Sequence, residues 1–66
     1  MKIIVNGETT ETRAKTLEDL CAMLGYDGRM KVATAVNGDF VPATAREEIR
    51  LNEHDAIEIV APRQGG

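Results

Sequence analysis

The stretch that decides the fold is "AIEIVAPRQGG", residues 56–66. Ile57 and Ile59 alternate with Glu58 and Val60, the period-two pattern of a strand. A segment this apolar must pair inside a sheet. If it pairs beside the first strand of the chain, the two run parallel and are joined by a long crossover. Pro62 ends the strand and stiffens its exit, after which Arg63, Gln64, Gly65 and Gly66 offer nothing to bury. The chain is therefore expected to divide into a folded domain, residues 1–61, and a flexible carboxyl-terminal tail, residues 62–66.

Working outward, "KIIVNGETTETRA" (residues 2–14) reads as a hairpin. Ile3 and Val5 point to one face, and Asn6-Gly7 accepts the positive φ that both centres of a type I′ turn require. Residues 9–13 form the return strand, too polar to be buried on both faces and so placed at an edge. In "KTLEDLCAMLGYDG" (15–28), Leu17, Leu20, Cys21 and Leu24 fall on one helical stripe. Thr16 is the natural N-cap, its hydroxyl able to accept the Asp19 N–H, and Gly25 supplies the left-handed residue that ends the helix. A loop through Gly28 follows.

"KVATAVNGDFVP" (31–42) is a second strand and turn. Ala33 and Ala35 lie on one face, Val32, Thr34 and Val36 on the other, and Asn37-Gly38 turns the chain into a short strand at Phe40 and Val41 that Pro42 stops. Residues 43–55, "ATAREEIRLNEHD", have weak periodicity and predict a turn or one short strand around Ile49 to Leu51. The order is thus strand, strand, helix, strand, short strand, strand. A single helix can cover only one face of the sheet, which gives a two-layer α+β domain with a mixed sheet of four to five strands.

Composition narrows the function. The chain has 66 residues, 42% apolar and 29% charged, with a net charge of −3. One domain of this size buries roughly 60% of the surface its unfolded chain exposes, so its stability is modest. Its eight lysines and arginines are scattered and its aromatics are Phe40 and Tyr26 alone. Neither a phosphate-tracking basic run nor a base-stacking platform is present, which argues against nucleic acid. A mildly acidic surface suits docking onto a basic protein partner. The lone cysteine, Cys21, can close no intramolecular disulfide and points to a reducing compartment. The opening "MKIIVNGE" has too short an apolar run for a signal peptide or membrane span, so the cytoplasm is the expected location.

No pair of titratable residues has a spacing that suggests acid–base catalysis, and the chain reads as a protein that is not an enzyme. The terminal Gly-Gly is either a frayed end or the place where chemistry is expected. A carboxylate is a poor acyl donor because its charge is delocalised and repels nucleophiles. It must first be activated, for example as an acyl adenylate. A tail whose last two residues lack Cβ can thread a narrow channel and take any φ and ψ that channel imposes.

The spread "IIVNGE", "TLEDLCAMLG", "VATAVNGDFVP", "HDAIEIV" and "QGG" resembles the thiamine-biosynthesis sulfur carriers, the ThiS family, over nearly the whole chain. That resemblance implies a ubiquitin-like β-grasp fold. It also implies that Gly66 is adenylated by an E1-like, ThiF-like enzyme using ATP, and then converted to a thiocarboxylate with sulfur from a donor such as a cysteine desulfurase. The thiocarboxylate would serve a ThiG-like thiazole synthase, with Gly65, Gln64 and Arg63 threading the partner's active site. No cofactor or metal is expected on the carrier itself. Departures from the family pattern are Ala43, where an arginine often follows the proline, Pro62 and Arg63 before the final Gln-Gly-Gly, and His54 in place of a common glycine before Asp55.

Individual side chains have plainer readings. Cys21 sits on the leucine stripe as a core residue, His54 is a surface residue of a polar turn, and both Asn-Gly pairs are hairpin turns. Phe40 and Val41 are expected to form part of a docking surface on the uncovered sheet face. Competing functions are a carrier resembling the small subunit of molybdopterin synthase, a ubiquitin-like protein modifier, and a β-grasp interaction module with an idle tail.

Overall fold

The computed structural model describes residues 1–26 and 31–61. Five strands form one sheet in the order β2-β1-β5-β3-β4. They are β1 Lys2–Val5, β2 Glu8–Glu11, β3 Ala33–Val36, β4 Asp39–Val41 and β5 Ala56–Val60, with helix α1 Leu17–Met23 between β2 and β3. β1 and β5 are parallel, with Ile4 opposite Ala56, and the remaining neighbours are antiparallel. The final strand is thus central, where the apolar pattern of residues 56–60 places it.

Both hairpins turn as their sequences require. Asn6 and Gly7 have φ of 50° and 84°, and Asn37 and Gly38 have 51° and 87°. Two successive positive values define a type I′ turn, whose twist matches that of the flanking strands. The return strand spans Glu8–Glu11, not residues 9–13. Its end is set by Thr12, whose hydroxyl accepts the Ala14 N–H at 3.0 Å and bends the chain toward the helix.

Helix α1 begins with a full capping box. Thr16 Oγ1 accepts the Asp19 N–H at 3.1 Å, and Asp19 Oδ2 accepts the Thr16 N–H at 3.3 Å. Gly25, at φ 91°, follows its C-terminus. The apolar stripe buries Leu17, Leu20 and Cys21 against Ile3, Val41, Leu51, Ile57 and Ile59. Each side chain fully buried in this way contributes about 1.5–3 kcal/mol. The loop expected through Gly28 and the tail 62–66 lie outside the described residues.

In residues 43–55 the strand contact expected around Ile49 to Leu51 is present as a single bridge, and the helix before it is the departure. Ala43–Glu48 form a 3-10 helix, and only the following residues touch another segment in strand fashion, Arg50 bridging Thr16. Two bonds flank that bridge, Leu17 N–H to Ile49 O and Leu51 N–H to Lys15 O, both 2.9 Å. They seat Leu51 in the core beneath the helix N-terminus. Arg46 anchors the 3-10 segment, its Nε donating to Thr34 Oγ1 at 3.0 Å and its Nη2 to the Val32 carbonyl at 2.6 Å. Thr34 is buried, and its hydroxyl passes its own hydrogen to the Val41 carbonyl at 2.7 Å. The one buried polar side chain among the described residues is therefore satisfied as donor and acceptor.

Candidate functional site

With α1 covering one face, the opposite face of the sheet stays open. Phe40 is 70% exposed and Val60 62% exposed, with Ile4 also exposed. Register brings Phe40 beside Ala35, Ala35 beside Glu58, and Ala33 beside Val60. The small side chains of Ala33 and Ala35 leave the floor between Phe40 and Val60 low. Lys31, Val32, Ala33 and Val60 line a shallow apolar recess where β5 ends. Glu58, on the central strand, sets one carboxylate among these apolar side chains, a mixed surface of the kind that docks a protein partner.

Val41 is not part of that surface. It is 6% exposed and belongs to the core, and its carbonyl takes the Thr34 hydroxyl. Successive residues of a strand point to opposite faces, so Phe40 and Val41 cannot share one. Contrary to the sequence expectation, the two are not a pair, and only Phe40 of them lies on the open side.

The candidate site at the chain end, Arg63, Gln64, Gly65 and Gly66, lies outside the described residues. The described part shows how the chain is delivered to it. β5 is gripped from both sides up to Ile59, where Asn6 Oδ1 accepts the Ile59 N–H at 2.9 Å and Asn6 Nδ2 donates to the Ile59 carbonyl at 3.1 Å. At the other end of the strand, Asn37 Oδ1 accepts the Ala56 N–H at 2.9 Å. The side chains of the two turn asparagines thus continue the ladders that their own backbones leave. Sequence reading recognised both turns but not this second task, which depends on residues about 20 to 50 positions away.

The remaining candidates are structural. Cys21 is 2% exposed, and burial pushes its thiol pKa up; Arg46 nearby lowers it and Glu18 raises it. A protonated, inaccessible thiol is poorly suited to carrying sulfur. His54 stands at φ 70° in an exposed turn, its N–H donating to the Lys2 carbonyl at 2.7 Å. That left-handed conformation explains why a glycine suits this position. Among the described residues no group of His, Cys, Asp and Glu side chains could hold a metal ion, and no helix is long and apolar enough to cross a membrane.

A mixed sheet in the order β2-β1-β5-β3-β4, crossed by one helix and releasing its central strand toward the chain end, defines a ubiquitin-like β-grasp protein. Residues 3–66 match the model of the ThiS family. The chain belongs to the ThiS family, the sulfur carriers of thiamine biosynthesis. Its fold is shared with the crystal structure of a thiamine biosynthesis protein (ThiS) from Geobacter metallireducens, at a TM-score of 0.78, 23% identity and full coverage of both chains. The solution structure of a thiamine biosynthesis protein from the same organism gives 0.80 at 25% identity, covering all of this chain and 88% of that one. A thiazole synthase of Paramagnetospirillum magneticum is 40% identical over 67 residues, which span the whole of this chain but only 20% of that protein.

Proposed function

We propose that this chain carries sulfur as a thiocarboxylate on Gly66 and delivers it for thiazole formation. The terminal carboxylate attacks the α-phosphorus of ATP on an E1-like, ThiF-like enzyme, and pyrophosphate leaves. The resulting acyl adenylate has a good leaving group in AMP, which the outer sulfur of a persulfide on a donor such as a cysteine desulfurase displaces; a thiol then takes up the donor's inner sulfur as a disulfide and frees the thiocarboxylate. The carrier contributes no acid, base or metal to these steps. It presents an acyl carbon on a slender Gly65-Gly66 tail, held at a fixed exit by β5, to enzymes that supply the rest.

The observation that carries this reading is the family match over residues 3–66, a range that includes the final Gln64-Gly65-Gly66. A second support bears on the partner. In the Paramagnetospirillum magneticum thiazole synthase, a stretch similar to this chain is built into a longer polypeptide of that activity. Joining carrier and consumer in one chain raises their effective concentration, which is of use only if the two meet repeatedly. We take a ThiG-like thiazole synthase as the acceptor, Phe40 as part of the docking face, and the cytoplasm as the place where both are found. Arg63 is assigned to contact a phosphate or an acidic groove beside the reacting end.

The test is reconstitution with the adenylating enzyme, ATP and a sulfur donor. Full-length chain is expected to gain sulfur in place of one oxygen, and a chain lacking Gly66 is expected to gain none. Equal loading of both would refute the assignment of Gly66.

A further inference from the structure

The two Asn-Gly turns are built alike but held differently. Asn6 makes both side-chain bonds to the backbone of one residue, Ile59, in a partly buried setting at the centre of the sheet. Asn37 makes its bonds at the exposed surface, accepting the Ala56 N–H at 2.9 Å and donating from Nδ2 to Asp55 Oδ1 at 3.0 Å. The other Asp55 oxygen accepts the Asn52 N–H at 2.8 Å, which fixes the carboxylate against the asparagine amide.

Asparagine followed by glycine is reactive because the next backbone nitrogen has no Cβ beside it to block approach to the side-chain Cγ. At Gly38 a Cβ would meet nothing within 4 Å, and the same is true of Gly7. Neither turn crowds its glycine on the side where a Cβ would stand. What separates them is the group on the leaving amine. At Asn6 it is a carbonyl, which cannot move a proton, whereas at Asn37 it is the Asp55 carboxylate, which can.

We propose that Asn37 is a self-modification site, where the Gly38 nitrogen displaces the side-chain amine with Asp55 as proton relay, while Asn6 is spared. The Gly38 nitrogen bonds to Cγ, and the Ala56 N–H stabilises the oxyanion on Oδ1. The Cγ–Nδ2 bond then breaks. The proton lost by Gly38 passes through Asp55 to the departing nitrogen, so ammonia leaves and a cyclic imide remains. Water opens the imide at either carbonyl. Breaking the new bond gives aspartate, and breaking the original peptide bond gives isoaspartate. No oxidant or reductant takes part.

The aspartate product places a carboxylate where an amide donated to Asp55, at a separation near the 3.0 Å of the original bond, while isoaspartate routes the backbone through the former side chain, losing the amide donor and adding one carbon to the turn. Like charges that close disfavour one another. The hairpin of β3 and β4, which carries Phe40, then loses part of its hold on β5. Modification at this turn would loosen the docking face without touching the chain end.

The experiment ages purified full-length chain at neutral pH and follows both asparagines by peptide mapping that separates aspartate from isoaspartate. Asn37 is expected to convert at least about tenfold faster than Asn6, a small part of what a positioned acid–base group supplies in an enzyme. Asp55→Asn is expected to slow Asn37 toward the rate of Asn6 while leaving Asn6 unchanged. Equal rates at the two turns, or an Asp55→Asn variant in which Asn37 reacts as fast or faster, overturns the proposal. For the consequence, Asn37→Asp alone is expected to lower Tm and speed hydrogen exchange in β3 and β5. The double variant N37D/D55N is expected to restore both, because the amide introduced at 55 donates to the carboxylate at 37 and keeps its bond from Asn52. A double variant no more stable than the single one contradicts the carboxylate clash.

Discussion

Asn6 grips Ile59 with both ends of its amide, accepting its N–H at 2.9 Å and donating to its carbonyl at 3.1 Å, across 53 positions of sequence. The bond pair joins the first turn of the chain to the end of the strand that releases the tail. Replacing Asn6 by glycine keeps the left-handed backbone but removes the grip. Asn6→Gly is therefore expected to cost about 1–3 kcal/mol, the net worth of two hydrogen bonds, in urea denaturation. Hydrogen exchange should accelerate most at Ile59 and Val60. An unchanged midpoint would show that β5 is held without the amide.

Arg46 ties the 3-10 segment to β3 through Thr34 Oγ1 and the Val32 carbonyl. Arg46→Met retains the length of the side chain and much of its packing but donates to neither. A loss of about 1–2 kcal/mol is expected, with hydrogen exchange rising across Ala43–Glu48. Arg46→Lys should recover only part, since a single ammonium cannot reproduce the geometry of the guanidinium fork.

The neighbours Phe40 and Val41 offer a clean contrast, one exposed and one buried. Phe40→Ala is expected to shift stability by no more than about 0.5 kcal/mol, the usual range for a surface position. It should weaken binding to the adenylating enzyme, measured by calorimetry. Val41→Ala should cost about 1–3 kcal/mol through lost burial and the space left behind. If Phe40→Ala unfolds the domain, the open-face assignment is wrong.

Burial holds the Cys21 thiol pKa above its ordinary range. The unfolded chain therefore releases this proton at lower pH than the folded one does. The contribution to stability is complete below the ordinary thiol range of about 8.5 and declines as pH rises through the folded value. Thermal melts in reducing buffer should show a fall in Tm on the alkaline side that is shallower in Cys21→Ala. At neutral pH the native thiol should resist alkylating reagents until the protein is unfolded.

How far the sequence could be read follows from how local each signal is. The Asn-Gly turns, the Thr16 cap and the helical stripe are specified within a few residues, and the structure has them where the residues place them, save Leu24, which follows the last helical residue, Met23, and stays exposed. The central place of residues 56–60 followed from apolar alternation alone. The 3-10 helix was not legible, because Arg46 stabilises it through groups 12 and 14 positions earlier. Nor was the second use of Asn6 and Asn37, since a turn asparagine looks the same whether its amide meets solvent or a distant strand. The error at Val41 had a different origin. Strand alternation forbids it a common face with Phe40, a constraint that outweighs the adjacency of two apolar residues in sequence. For the chemical end of the chain the signal was compositional, a Gln-Gly-Gly ending that only the family match extends beyond chance.

The most direct measurement is the intact mass of the chain expressed together with its adenylating enzyme and sulfur donor, with fragmentation to locate any change. The expected result is a fraction of protein in which sulfur replaces one oxygen at Gly66, absent when ATP binding by the enzyme is abolished. A mature polypeptide that continues past Gly66 untrimmed, or one loaded with sulfur anywhere else, would contradict the account.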